Sequence, residues 1–178
     1  TSSDATLQIT NACVAACDES SLRSAVQAGG VIRLCCDGTI LLTSTLEITR
    51  DVALDGRQHA VTISGNGSVR LFSVHPGVTF SITNLTLANG YHLGANGTNW
   101  VGQMDPSHPP PDAGKPGEGG ALLNEGGTVT VVDSRLVANH SQGGEGGFLG
   151  AIPFSVGKSG AARGGAIASR NGVLRLFD

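Results

Sequence analysis

A near-copy of one short segment recurs late in the chain, and this repeat limits the fold more than any other feature. Residues 119–133 read GGALLNEGGTVTVVD, and residues 164–178 read GGAIASRNGVLRLFD. Gly119, Gly120, Ala121, Gly127 and Asp133 return 45 positions later as Gly164, Gly165, Ala166, Gly172 and Asp178. Leu122, Val129 and Val131 return as Ile167, Leu174 and Leu176. A looser copy lies upstream, where Phe80, Ile82 and Leu87 match Val129, Val131 and Leu136 at an offset of 49. The apolar positions recur while the spacing between copies varies. That behaviour suits a solenoid, in which each pass of chain stacks its inward aliphatic residues on the last and surplus residues leave as loops.

The local pattern agrees. From Val31 onward the apolar residues follow a period of two and are cut by turns at Asp37-Gly38, Asp55-Gly56, Asn66-Gly67, Pro76-Gly77 and Asn89-Gly90. These are the marks of many short strands. No helical segments separate them, which argues against an alternating strand–helix protein. Aromatic residues are 4% of the chain, so the core must rest on Val, Ile, Leu and Ala, and the 27 glycines supply the turns. Residues 18–28 form the exception. Asp18 and Glu19 precede Leu22, Ala25 and Val26 on one apolar face, and Gly29-Gly30 stops the run. This predicts a short amphipathic helix that caps one end of the stack. The organisation expected is a cap over residues 1–30 and stacked strands over 31–178.

All four cysteines, Cys13, Cys17, Cys35 and Cys36, lie near the start. Cys35 and Cys36 are adjacent, so in a strand they face opposite ways and must reach different partners. Disulfides joining Cys13 and Cys17 to Cys35 and Cys36 are expected, in a pairing that spacing alone leaves open. A zinc site would usually include a CxxC pair, and the chain has none. The disulfides point to a secreted or cell-surface protein. A net charge of −3 without a basic stripe gives no nucleic-acid surface. No apolar run approaches the length of a membrane span.

At this level the chain resembles a known group. The segments SSLRSAVQAGG, TLEITRDVALDG, LFSVHPGVTFSITNLTLANG and GGALLNEGGTVTVVDSRLVANHS are similar to bacterial surface and adhesin-like proteins, notably chlamydial polymorphic outer membrane proteins with their GGA[LI] repeats. The resemblance covers nearly the whole chain outside two insertions. It implies an all-β fold, a right-handed parallel β-helix of the pectin-lyase-like superfamily, and a chain that is the first part of a longer one. The family's Phe-x-x-Asn motif is present only in degenerate form, as Leu136-Val-Ala-Asn139.

The two insertions span about 91–118 and 140–163, and both leave after Ala-Asn and return into Gly-Gly-Ala. In a solenoid they would be neighbours. Tyr91, His92, Asn96, Asn99 and Trp100 are the ligand-binding candidates, because aromatic and amide side chains together suit sugar rings. Trp100 could equally anchor its own loop. Glu118, Glu125 and Glu145 are the carboxylates nearest the insertions, and glycoside hydrolysis needs two carboxylates facing across a groove. Asp133 and Asp178 share one repeat position and read as turn residues. Polygalacturonase motifs are absent, and Gly157-Lys158-Ser159 lacks the first glycine of a phosphate loop. No cofactor or metal is called for. The expected function is an adhesin-like scaffold that binds a polysaccharide or a cell-surface protein through its insertions. The alternatives are a polysaccharide lyase or glycoside hydrolase, and a stalk segment that associates end to end.

Overall fold

The structure is a computed structural model that describes residues 12–99, 111–148 and 157–178. The chain opens with β1 (Ala12–Val14), helix α1 (Glu19–Ala28), β2 (Gly30–Leu34), β3 (Gly38–Leu41) and β4 (Leu46–Ile48). It continues through β5 (Val52–Asp55), β6 (Val61–Ser64), β7 (Phe72–Val74), β8 (Thr79–Thr83) and β9 (Thr86–Ala88). Then follow β10 (Tyr91–Leu93), β11 (Gly117–Glu118), β12 (Leu122–Asn124), β13 (Thr128–Val132) and β14 (Arg135–Val137). The last elements are β15 (His140–Gln142), β16 (Ala162–Arg163), β17 (Ile167–Ser169) and β18 (Val173–Phe177).

The strands fall into three larger sheets, ordered β1-β2-β5-β8-β13-β18, β14-β9-β6-β3 and β17-β12-β7-β4, and two small pairs, β10-β15 and β11-β16. Every pairing is parallel, so sequence-distant residues meet in register, as in Ile32–Leu54–Ile82–Val131–Leu176. Ile40–Ile63–Leu87–Leu136 and Leu46–Phe72–Leu122–Ile167 form matching rows in the other two large sheets. The inward members of these rows form one aliphatic core, with Phe72 and Phe80 meeting at 5.1 Å between ring centroids. The period-two pattern is realised as alternating buried and outward residues along β4, β5, β8 and β13.

The expected all-β, right-handed parallel β-helix is corrected by this arrangement. The described residues form one helix and five separate parallel sheets of six, four, four, two and two strands, and none of them closes or runs on as a single solenoid sheet. A helix with parallel-only sheets suggests an α/β-type fold. Apolar periodicity reports that a segment is a strand and which side is buried. It does not report how separate strands divide among sheets, and here the matching positions of the repeat are shared among three ladders.

The helix follows its sequence signals. The Asp18 carboxylate accepts a hydrogen bond from the Ser21 amide at 2.8 Å, which satisfies an otherwise unpaired donor of the first turn. Leu22 and Val26 are buried, and the helix packs on β1, β2 and β4. Gly29, at φ 79°, ends it. Two disulfides hold this cap, Cys13–Cys35 with Cα atoms 5.8 Å apart and Cys17–Cys36 with Cα atoms 5.7 Å apart. The adjacent cysteines do reach different partners.

A polar side chain also enters the core. Asn124 is fully buried in the Ile48–Val74–Asn124–Ser169 row. Its amide nitrogen donates to the carbonyls of Gly127 and Val173 and to Ser169 Oγ, and its oxygen accepts from the Gly126 and Gly127 amides. The side chain therefore stitches its own turn to the next pass of chain. Asn124→Ala strands several of these groups away from water, each at about 1–3 kcal/mol. A loss of about 3 kcal/mol is expected in urea unfolding followed by circular dichroism. A midpoint within error of wild type would show that water replaces the amide.

Candidate functional site

The two insertions begin and end beside each other. Asn139 fixes their common root: its oxygen accepts from the Gly90 amide at 2.8 Å, and its nitrogen donates to the Leu87 carbonyl at 2.9 Å. From there β10 pairs with β15, setting Tyr91 beside His140, His92 beside Ser141 and Leu93 beside Gln142. The returning strands β11 and β16 pair likewise, with Glu118 beside Arg163. The insertions are therefore neighbours, as their shared exit point in the sequence suggests.

Beyond these strands the insertions pack backbone on backbone. Gly94 and Gly97 donate to the carbonyls of Gln142 and Glu145, and Gly114 and Gly117 to those of Lys158 and Ala161. Gly144 and Gly147 donate to Lys115 and Asp112, and Gly157 and Gly160 to Gly147 and Gly144. In each of the four segments the glycine donors are three residues apart, and Lys115 donates in addition to the Ala95 carbonyl. Three residues per turn is the period of a polyproline II helix, which has no internal hydrogen bonds and must find its partners in neighbouring chains. The glycines are required by contact. A Cβ on Gly94 would lie 2.0 Å from the Lys115 carbonyl oxygen, and one on Gly146 would lie 1.7 Å from that of Gly157. The result is a glycine-cored bundle rooted on the sheets.

Side chains project from this bundle. The Tyr91 and His140 rings are parallel within 4°, with centroids 6.2 Å apart, and Tyr91 Oη donates to Gln142 Oε1 at 3.0 Å. Leu93 and Phe148 are exposed apolar residues further out. Asn96 and Asn99 also have a structural task. Their side-chain oxygens accept from the Glu145 and Phe148 amides at 2.8 and 2.9 Å, which ties one insertion to the other. Trp100 lies outside the described residues.

His92 faces the other way, into a charged cluster. Its Nδ1 accepts from the Glu118 amide at 3.0 Å, so the ring is neutral with its proton on Nε2. Burial, followed by the nearby Arg70 and Arg170 guanidiniums, holds its pKa below the ordinary value. The Glu118 carboxylate is buried and bonded by Arg170, with Arg163 at 3.5 Å. Arg70 donates to the backbone carbonyls of Glu118 and Gly119, at 2.7 and 3.0 Å. Burial lowers its pKa from the usual guanidinium value.

The three candidate carboxylates are not drawn into one groove. Glu118 is occupied by arginines. Glu125 sits on the turn at the opposite end of β12, its amide bonded to the Val74 carbonyl. Glu145 is exposed in the bundle at the level of Gly97, about 15 Å further out than His92 at the polyproline II rise. Asp133 has φ 45° and sits in the turn after β13, as a turn residue should. Sequence reasoning missed Arg70, Arg170 and Gln142. Arg70 and Arg170 meet Glu118 from 48 and 52 positions away, and nothing local marks them. The glycine bundle did leave a signal in the Gly-x-x-Gly spacing at 94/97, 114/117, 144/147 and 157/160.

Among the described residues no group of His, Cys, Asp and Glu could hold a metal ion, and no helix is long and apolar enough to cross a membrane. The two disulfides fit an oxidising, extracellular setting. No family model matches the chain, and neither a curated protein nor a solved structure matches it.

Proposed function

We propose that the chain is an adhesin-like extracellular scaffold that binds glycan through the outer surface of its paired insertions. One observation carries the reading: the described parts of two insertions distant in sequence pack together and present Tyr91, His140 and Gln142 side by side. A ring surface edged by a side-chain amide suits a sugar, whose apolar face packs on an aromatic while its hydroxyls find polar partners. Order before binding also lowers the entropy cost of association. The disulfide-held cap and the resemblance to bacterial surface proteins support the same setting.

A glycan array probed with wild type and with the double variant Tyr91→Ala, His140→Ala tests this. Tyr91 is half-buried and His140 exposed, and neither belongs to the aliphatic core, so the variant folds. Thermal unfolding checks that it does. At least a tenfold loss of signal is expected for the glycans bound by wild type. Equal binding by the variant would remove the ring pair from the site.

A further inference from the structure

A second concavity lies away from the insertions, where the chain crosses from β5 to β6. This crossing has five residues, 56–60, whereas the corresponding crossings β8–β9 and β13–β14 each have two. The longer loop overhangs a cavity of about 340 Å³ lined by Arg33, Asp55, Arg57, Gln58 and His59, with Leu34 also in its wall. A neighbouring hollow of about 410 Å³ shares Gln58 and His59 and continues toward Asp133 and Arg135. The loop is held in place. The His59 amide donates to the Gly56 carbonyl at 3.1 Å, and the Ala60 amide donates to Asp37 Oδ1 at 2.7 Å. Gln58 takes φ 72°, a left-handed conformation uncommon outside glycine and asparagine.

We propose that this cavity is an oxyanion site, taking a carboxylate or sulfate group carried on a sugar or free in solution. Around the cavity the hydrogen-bond donors remain unspent while the carboxylates are taken. Asp55, the one carboxylate lining the cavity, is occupied by Arg57: Nε donates to both carboxylate oxygens at 3.0 Å, and Nη2 donates to Oδ2 at 2.8 Å. Asp37, beside the cavity, is committed to the Ala60 amide and to His59 Nδ1 at 3.2 Å. The carboxylate acceptors are therefore used. Among the described residues donors remain: the Arg33 guanidinium, the far edge of Arg57 and the Gln58 amide.

Geometry and charge agree. Arg33 is the register partner of Asp55 on the neighbouring strand, so its side chain and the Asp55 carboxylate that holds Arg57 share one outward column. Asp55 holds the planar Arg57 fork in a single orientation before any ligand arrives, and a fixed fork is what bidentate recognition of an oxyanion requires. The Arg57 hydrogen bonds hold the Asp55 carboxyl below the usual carboxylate range, so this pair is ionised at neutral pH. Arg33 and Arg57 against Asp55 leave one positive charge among the lining residues, with the Asp37 carboxylate turned to His59 and the Ala60 amide beside them. This site is separate from the insertion surface, and its test is independent of the reading above.

Isothermal titration calorimetry separates the outcomes. The ligands are a galacturonate trimer, a neutral maltotriose of equal length and sodium sulfate, each titrated into wild type, Arg33→Gln and Arg57→Lys. The expected result is binding of the acidic trimer, at least tenfold weakening in both variants, and no binding of maltotriose. Arg57→Lys keeps the charge and removes the fork. Arg33→Gln breaks no side-chain bond among the described residues, so it isolates the ligand contact from folding. Competition by sulfate supports recognition of the oxyanion itself, and sulfate binding without trimer binding assigns the site to a free anion. Unchanged affinity in Arg33→Gln, equal binding of maltotriose, or no binding of either anion overturns the proposal.

Discussion

Gly144→Ala detaches the two insertions from one another while the three large sheets stay folded. Gly144 touches every other segment of the bundle. Its amide donates to the Lys115 carbonyl at 3.0 Å, and its own carbonyl accepts from the Gly160 amide at 2.8 Å. A Cβ there would lie 2.1 Å from the Ala95 carbonyl oxygen and 2.5 Å from that of Gly94. Both obstacles are backbone, so no rotamer change relieves them. Elsewhere, Gly→Ala at a compatible position stabilises by about 0.4–1 kcal/mol through the unfolded chain. Here the overlap decides the sign, and a cost of about 3 kcal/mol falls on the bundle alone. Hydrogen exchange reads this directly. The amides of Gly94, Gly97, Gly114 and Gly160 lose protection at least a hundredfold in the variant, while those of Ile82 and Val131 keep theirs. Uniform protection across all six would mean that the glycines are not packed as described.

Reducing the disulfides produces the second large effect. Cys13–Cys35 and Cys17–Cys36 span 22 and 19 residues of sequence. Chain-entropy arguments give about 3 kcal/mol for closing a loop of this size. The two loops overlap, so the pair contributes less than twice that, but still a large share of a typical stability of about 5–15 kcal/mol. The loss is expected in the cap. Without its staples β1 has three residues of pairing and α1 is held by Leu22 and Val26. Denaturant unfolding with and without reductant should show the midpoint falling on reduction, with α1 lost at lower denaturant than the core. The double variant Cys13→Ser, Cys35→Ser should account for about half of the effect. Coincident unfolding curves for oxidised and reduced protein would show that packing alone holds the cap.

Local features of this chain are legible where local physics decides them. Asp18, Leu22, Val26 and Gly29 specify a capped helix, and the period-two runs mark the strands and their buried faces. The repeat at offsets of 45 and 49 identifies which residues share rows, since Val129 pairs with Phe80 and Leu174. The class of fold is not legible, because the repeat does not encode how strands divide among sheets. The site is legible only in part. The shared exit of the insertions follows from the repeated Ala-Asn and Gly-Gly-Ala boundaries. Asn96 and Asn99, whose type suggests ligand contacts, also hold backbone, a task not legible in sequence because the amides they satisfy belong to the other insertion. Of the Glu118 cluster only Arg163 follows from the repeat, 45 positions on, while Arg70 and Arg170 come from the ends of distant strands.

The central claim is that binding depends on the insertions being ordered as one element. The most direct measurement is a glycan array probed in parallel with wild type and Gly144→Ala, with the main unfolding transition recorded for both. The account predicts that wild type binds, that the variant loses binding at least tenfold, and that the transition of the sheets is unchanged. Full binding by a variant whose insertions have separated would contradict it.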